Sequence, residues 1–488
     1  MKKGKTIVLM VLVICLIACA RYPINAKLEQ YDRTNGYSFE NLSSPENSDS
    51  LFVILAFSGG GTRAAALSYG VLEELKKTEI RWEGKTRRLL DEVDVISSVS
   101  GGSFTAAYYV LYGDRVFSEF ESRFLKKDIE GGLTRQLFSP VNWFRLASPS
   151  FDRIDLAAEY YDEHIFNHAT FKDLSKKGRR PYILINATDM SQGTRFEFTQ
   201  DQFDLLCSDL SEFPLARAVA ASSAFPVLLS PITLRNYAGG CSYEEPLWVK
   251  NAMADRDVSA RRFARAMQAR SYLDSKNRPF IHLLDGGIAD NIGLREPLHA
   301  VTSTDGPWSV IRMINRNLVR KVVVVVVNAK TEPDLGLDRK ESAPGWKEVL
   351  TATASVPLDN YSFETIELLK LNLAQWEKDA QARRDCEEAL QTQKPGAKLP
   401  GAPAVVVDFY PIVISFDTLE DAAERHYFKN LPTSFRLPPE TVDRLRDVSA
   451  RLLKGSLDFQ RLLKDVLERR QDQTARREKH TKVSGFAS

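Results

Sequence analysis

The apolar positions of this chain fall into a few dense runs separated by glycine-rich or polar stretches. Leu51 to Phe57 is apolar throughout, as expected of a strand buried on both faces of a parallel sheet. It breaks at Ser58-Gly59-Gly60-Gly61-Thr62-Arg63, and Ala64 to Leu75 then reads as a helix. Val95 to Val99 is a second short buried strand, and Gly101-Gly102 opens a second helix of small and aromatic residues. A strand–loop–helix unit used twice predicts an α/β layer fold. Further strands are expected over Pro181–Ala187, Phe280–Leu284 and Lys321–Val327, and Thr194–Thr199 alternates like a half-exposed one. Leu215–Ser223 is a small-residue helix, after which Pro226–Leu234 extends. Residues 236–278, glycine-rich and then charged, read as an insertion. Beyond Lys330 the pattern predicts helices at about 346–357, 361–392 and 439–469, with a strand-like stretch from Pro403 to Phe416. The aromatic run Leu137–Leu146 has no clean period. It fits core better than a lid or a membrane-facing lip, because exposed apolar clusters are the exception.

The N-terminus is organised differently. Lys2, Lys3 and Lys5 precede an unbroken apolar run from Ile7 to Ala18. This is the charged and apolar arrangement of a secretory signal, and it is shorter than the roughly 20 residues a spanning helix needs. The run ends Leu16-Ile17-Ala18-Cys19, which resembles the lipobox of bacterial lipoprotein signals. The resemblance implies cleavage before Cys19 and acylation of that residue, placing the protein at a bacterial cell envelope. Ala20 follows where aspartate would mark inner-membrane retention, so an outer membrane is favoured where one exists. The expected organisation is a signal over 1–18, a polar tether over 19–50 and a catalytic domain over 51–330. An extension packed on the core follows over 331–469, then a polar, disordered tail over 470–488.

Composition narrows the options without choosing among them. In 488 residues, 43% are hydrophobic and 27% charged, with a formal net charge of +2. These are ordinary values for a globular protein, and no strong field argues for nucleic acid. Of five cysteines, Cys15 leaves with the signal and Cys19 is the expected anchor. Cys207, Cys241 and Cys386 remain, and an exported setting permits one disulfide, with Cys207 and Cys241 the nearer pair.

Four stretches carry the candidate chemistry. Gly59-Gly60-Gly61-Thr62-Arg63 follows a strand, and its glycines allow backbone N–H groups to approach an anion closely. It lacks the Lys-Ser/Thr ending of a phosphate-binding loop. Ser100 stands at a sharp strand-to-helix turn with small residues, Ser98 and Gly102, two positions to either side. That is a G-x-S-x-G nucleophile elbow with serine for the first glycine, although a simple helix N-cap reads the same locally. Ala220-Ala221-Ser222-Ser223-Ala224-Phe225-Pro226 indicates close packing. Asp285-Gly286-Gly287 ends a strand, where α/β sites lie, although Asp-Gly-Gly is also an ordinary turn. No metal-binding motif or cofactor fingerprint is evident.

In this order, over roughly 51–330, the four stretches resemble the patatin-like phospholipases. That family has a glycine-rich oxyanion block ending in arginine, a serine elbow, a small-residue block ending in proline and an Asp-Gly-Gly/Ala block. The departures are Ala64 where glycine usually follows the arginine, and Ser98. The resemblance implies a three-layer α/β fold with a mostly parallel central sheet and a C-terminal helical extension. It also implies a serine acyl hydrolase acting on phospholipid or lysophospholipid esters without a cofactor. Ser100 would be the nucleophile and Asp285 its base, with Gly59, Gly60, Gly61 and Gly101 forming the oxyanion hole. Arg63 would either lie near the anion or form a structural salt bridge. Two alternatives remain open. One is a Ser-His-Asp esterase using His299 or His426, which follow Asp285. The other is an envelope lipoprotein that binds lipid or a partner without turnover.

Overall fold

The computed structural model describes residues 24–43, 47–226, 228–255, 260–306, 308–332, 337–339, 341–394, 397 and 407–466. The signal, Cys19 and the 470–488 tail lie outside the described residues.

In chain order the elements begin with β1 (Ala26–Lys27), β2 (Leu51–Phe57), α1 (Gly61–Lys77), β3 (Glu79–Trp82), β4 (Lys85–Arg88), β5 (Val93–Val99) and α2 (Gly101–Tyr112). There follow α3 (Ile129–Leu137), α4 (Pro140–Leu146), α5 (Arg153–Tyr161), β6 (Tyr182–Asp189), β7 (Thr194–Glu197), β8 (Ser208–Asp209) and α6 (Leu215–Ser222). The chain then forms β9 (Ile232–Arg235), β10 (Phe280–Asp285), β11 (Lys321–Asn328), the long α7 (Trp346–Gln393), β12 (Asp408–Ser415) and α8 (Pro439–Gly455).

The main sheet has the order β12-β11-β2-β5-β6-β10-β9, with β7 also paired to β6. From β12 through β6 every pairing is parallel. β2, β5, β6 and β11 are buried at every residue, which explains their uninterrupted apolar character. The exception proves informative. Asp94 is the extra residue where the β2–β5 register shifts, and its carboxylate takes the Val53 N–H freed there (2.8 Å) and pairs with Arg180 (2.8 Å).

At β6 the sheet changes direction. Val99, the last residue of β5, pairs with Asn186, but β6 continues for three more residues. Those residues, Ala187 to Asp189, pair antiparallel with Asp285, Leu284 and Leu283 of β10. β10 therefore runs toward the level at which β5 ends, and Asp285 finishes beside it. The sequence placed Asp285 at a strand's C-terminal end correctly, but on an antiparallel strand. The expected insertion is the connection between β9 and β10, which form an antiparallel pair.

Two expectations need correction. Residues 24–43 are not a free tether, because β1 pairs with β8 and Tyr37 is buried with its hydroxyl accepting from the Ile183 N–H (2.8 Å). The C-terminal part is helical around the strand expected within Pro403–Phe416, and that strand, β12, is an edge of the main sheet, where Pro411 is tolerated. The aromatic run is not core: Phe138, Val141, Trp143 and Phe144 are exposed. The burial of α4 falls on Asn142 instead. Cys207 and Cys241 form a disulfide. No helix among the described residues is long and apolar enough to cross a membrane.

Candidate active site

β2 and β5 are neighbours, with Phe57 opposite Ser98. Each ends in a glycine-bearing turn that starts a helix, so the N-termini of α1 and α2 converge. Their backbones touch: a Cβ at Gly101 would overlap Gly61. A Cβ at Gly102 would come within 2.7 Å of the Ser58 carbonyl oxygen. The small residues of the elbow are thus required by the approach of the glycine loop.

Ser100 sits at φ 49°, ψ −120°, a conformation that is strained for a residue with a side chain and is held only where the surroundings over-determine it. Here the surroundings are hydroxyls. The Ser100 N–H donates to Ser222 Oγ (2.9 Å), and Ser222 Oγ donates to the Asn186 carbonyl (2.6 Å). Ser103 Oγ lies 3.0 Å from Ser222 Oγ and 3.1 Å from Ser98 Oγ. Ser98 in turn donates to the Leu184 carbonyl (3.2 Å). Ser222 thus joins β6, the elbow and α6. Sequence reasoning missed this role, and its only signal was a pair of serines in the small-residue block.

Asp285 is fixed from three directions. Its N–H donates to the Ala224 carbonyl (3.1 Å) and its carbonyl accepts from Thr188 Oγ1 (2.7 Å). Its Oδ1 accepts from the Gly287 N–H (2.7 Å). The Ser100 side chain lies near enough to its carboxylate to favour the ionised form. Burial is the largest influence on this carboxyl and pushes it up to about 7, against the lowering effect of the Gly287 bond and of Ser100. A free aspartate, near 4, would be a poor base at neutral pH; burial removes that difficulty.

The glycine loop divides into two roles. Gly60 (φ 135°) and Gly61 (φ 58°) hold backbone conformations that favour glycine. With Gly101 they open the two helices, where free amides and helix dipoles favour negative charge. Gly59, expected with them as an oxyanion donor, is a correction: its N–H already donates to the Asn291 carbonyl (2.8 Å). It is glycine for space, since a Cβ there would come within 2.5 Å of Asn291 Oδ1.

Of the two roles expected for Arg63, the structural one fits its partners. Its buried guanidinium donates to the Ala329 carbonyl (3.0 Å), the Leu431 carbonyl (2.5 Å) and Thr433 Oγ1 (3.0 Å). It clamps the start of α1 to the C-terminal segment and is not directed at a substrate anion. The same segment reaches the glycine loop directly. The Ser434 carbonyl accepts from the Thr62 N–H (2.9 Å), and a Cβ at Gly61 would come within 2.5 Å of that oxygen. Phe435 packs edge-on against Phe104 of α2, 5.4 Å between centroids.

Among the described residues no hydrogen bond joins a histidine to Ser100 or Asp285, and His299 Nδ1 is buried without a hydrogen-bond partner. His282 lies beside Thr233 (3.0 Å) and His164 beside the Tyr160 carbonyl (3.0 Å). His168 pairs with Asp162 (2.6 Å) and His426 with Glu332 (3.2 Å). Burial drives His299 toward its neutral form, beside Arg265 and Arg195. His480 lies outside the described residues. A cavity of about 350 Å³ exists away from the dyad, lined by Tyr31, Asp201, Arg195, Tyr243 and Glu296 among others. Neither Ser100 nor Asp285 borders it. Among the described residues no group of three or more His, Cys, Asp or Glu is placed to hold a metal ion.

A strained serine elbow, a facing buried aspartate and two converging helix N-termini on a mixed sheet describe a definite class of α/β protein. A family model described as patatin-like phospholipase matches residues 55–298, half of the chain, and the chain belongs to that family. Two solved structures are similar. Human GIVD cytosolic phospholipase A2 is 15% identical, with 86% of this chain and 62% of that one covered and a TM-score of 0.41. VipD from Legionella pneumophila is 13% identical, with 87% and 71% covered and a TM-score of 0.28. The chain thus spans less than two thirds of the length of the human protein. No curated protein matches it.

Proposed function

We propose that the protein is a serine acyl hydrolase that cleaves acyl esters of phospholipids or lysophospholipids through a Ser100–Asp285 dyad. The observation that carries this reading is the placing of the strained Ser100 elbow beside the buried Asp285 carboxyl, which burial pushes up to about 7. A base with that affinity is matched to neutral pH. Ser100 Oγ attacks the acyl carbonyl carbon as Asp285 takes its proton. The charge that develops on the carbonyl oxygen falls to the amides of Gly60, Gly61 and Gly101, at the N-termini of α1 and α2. Asp285 then protonates the departing alcohol oxygen, leaving an acyl-Ser100 ester. Water, deprotonated by Asp285, attacks that ester, the proton returns to Ser100 and a free fatty acid leaves. A Ser-His-Asp esterase finds no support, because no hydrogen bond joins a described histidine to Ser100 or Asp285.

The membrane anchor is part of the proposal. Residues 20–24 separate Cys19 from Asn25, which is held by Ser208 and the Arg235 carbonyl, and an extended chain spans at most about 3.5 Å per residue. Acylation of Cys19 would hold the domain close against an envelope membrane. Mass spectrometry of the mature N-terminus should find a diacylated or triacylated Cys19, and an unmodified terminus elsewhere would remove this element.

The dyad is tested with defined phospholipids and a soluble short-chain ester. Ser100→Ala and Asp285→Asn should each lower kcat by about a thousandfold or more, and the double variant should lose little beyond either. A fluorophosphonate should label Ser100 and no other serine. Full activity in Asp285→Asn, or labelling elsewhere, would overturn the dyad.

A further inference from the structure

We propose that α4 and the turn before it are the surface by which the protein seats on an anionic phospholipid bilayer. Phe138 is 66% exposed, Val141 69%, Trp143 57% and Phe144 43%. Four large apolar side chains within seven residues thus face outward. Leu228, on the neighbouring 226–230 segment, is 68% exposed. An apolar surface this concentrated marks an interaction site in a folded protein.

The backbone beneath the patch is fixed. Asn142 Nδ2 donates to the Gln136 carbonyl (2.8 Å), and Arg145 pairs in bidentate fashion with Glu159 of α5 (2.9 and 2.5 Å). Arg145 also lies over the Phe151 ring at 4.0 Å. The patch is therefore held outward by bonds on its inner side. The Trp143 indole N–H donates to the Leu137 carbonyl (3.0 Å), so the ring can enter an apolar layer without an unsatisfied donor.

Charge selects the occupant. Residues 131–151 contain Arg135 and Arg145 and no acidic residue. Arg135 and Arg153 are exposed at the flanks. The nearest acids lie just beyond its two ends, Glu130 accepting from Ser434 Oγ (2.6 Å) and Asp152 at the N-cap of α5. Aromatic and aliphatic side chains in a stretch whose only charged residues are arginines are the composition of a helix lying in the interface of a negatively charged bilayer.

Position completes the argument. Glu130 of α3 holds Ser434, whose carbonyl abuts Gly61. The Ile154 N–H donates to Ser230 Oγ (3.3 Å), on the segment that follows Ala224, the partner of the Asp285 N–H. The chain on either side of the patch thus contacts the two segments next to Ser100 and Asp285, and docking the patch would bring lipid toward the site. The choice of a bilayer as occupant rests on the lipid-ester reading above.

The test uses the full chain and vesicles of phosphatidylglycerol and phosphatidylethanolamine, compared with a short-chain p-nitrophenyl ester held below its critical micelle concentration. Phe138→Ser/Trp143→Ser should hydrolyse the soluble ester within about twofold of wild type and the vesicles at least tenfold more slowly. Val141→Ser, a milder change, should fall between. Any N-terminal anchor is common to all variants, so the difference reports on the patch. In Ser100→Ala protein, brominated acyl chains should quench a tryptophan component that Trp143→Phe removes. An unchanged vesicle rate would overturn the proposal. Equal losses on both substrates would also overturn it, because they assign the helix to shaping the site. A dimer that the double substitution dissociates, with vesicle hydrolysis intact, would make the face a self-association surface. If wild type hydrolyses neither substrate, the proposed function fails, and the quenching measurement still decides docking.

Discussion

Ser222 holds the elbow at the one place where strain has to be supported. A serine at positive φ stores backbone energy on the order of 1–3 kcal/mol, and the Ser100 amide is the group that must stay in place for the side chain to aim at Asp285. Ser222 Oγ accepts from that amide and donates to β6. Ser222→Ala removes both bonds inside a buried cluster, a loss of roughly 1–3 kcal/mol. The expected result is a fall in kcat of about tenfold to a hundredfold with KM nearly unchanged, measured on a soluble ester. A parallel rise in KM would assign Ser222 to packing alone. Asp285 makes a pH prediction at the same scale. As the proposed base, it would work ionised, so kcat/KM should rise with a slope of one below about pH 7 and then level off. Its effect on stability has the opposite sense. The folded value lies above an unfolded value of about 4, so its contribution is complete below about pH 4 and is lost as pH rises through the folded value. Asp285→Asn removes that loss. Its Tm relative to wild type should climb between pH 5 and pH 8, a trend measurable by calorimetry. Asp94, Asp201 and Asp204, also raised by burial, are common to both proteins and leave the difference intact.

The packing of α1 against α8 shows what sequence pattern reveals and what it conceals. Gly70 lies mid-helix, where glycine costs up to about 1 kcal/mol relative to alanine. Its reason is spatial: a Cβ there would stand 2.8 Å from the Arg446 carbonyl oxygen and from Ser449 Cβ. Ser449 Oγ also donates to the Leu67 carbonyl (2.7 Å). Gly70→Ala should push the helices apart and cost roughly 1–3 kcal/mol as overpacking, read as a lower denaturant midpoint. Because α1 begins at Gly61, activity should fall with it, while an alanine at Gly455, which has open space around it, should do neither. Nothing in the sequence near Gly70 announces residue 449. By contrast β2, β5, β6 and β11 were legible because burial on both faces leaves an uninterrupted apolar run. Ser100 was legible because a tight elbow restricts its neighbours, and the Cys207–Cys241 disulfide matches the nearer pair. The antiparallel entry of β10 was not legible, since pairing direction leaves no mark in a short strand. The outward face of α4 was misread for a related reason: an apolar cluster without a period has the same composition in a core or on a rim. Gly59 was misassigned because its partner, Asn291, is remote in sequence, and the same remoteness of Leu431 left the role of Arg63 open.

At the scale of the molecule, the N-terminal and C-terminal segments are structural parts of the domain. β12 pairs with β11 along its full length, and the 431–435 segment meets the glycine loop, so the far end of the chain closes the site. The near end is held by the disulfide. The Leu28 N–H donates to the Cys207 carbonyl (2.8 Å) and the Tyr31 N–H to the Cys241 carbonyl (2.9 Å). Asn25 reaches Ser208 (2.8 Å) and the Arg235 carbonyl (2.9 Å). Both cysteines therefore present backbone to the same strap, and their bond fixes the spacing between those two contacts. The cysteines are 34 residues apart, and closing a loop of that length in the unfolded chain is worth roughly 3–4 kcal/mol in the loop-entropy account. Cys207→Ser/Cys241→Ser should lower stability by about that amount. Trypsin should then cut first at Lys27 or Arg33, because the strap loses its fixed acceptors before the sheet opens. Hydrolysis of a soluble ester at low temperature should persist, since neither cysteine touches the dyad. Identical tryptic patterns with and without the disulfide would show that β1 and Asn25 hold the strap unaided. Loss of activity in step with the first cut would instead couple the strap to the site.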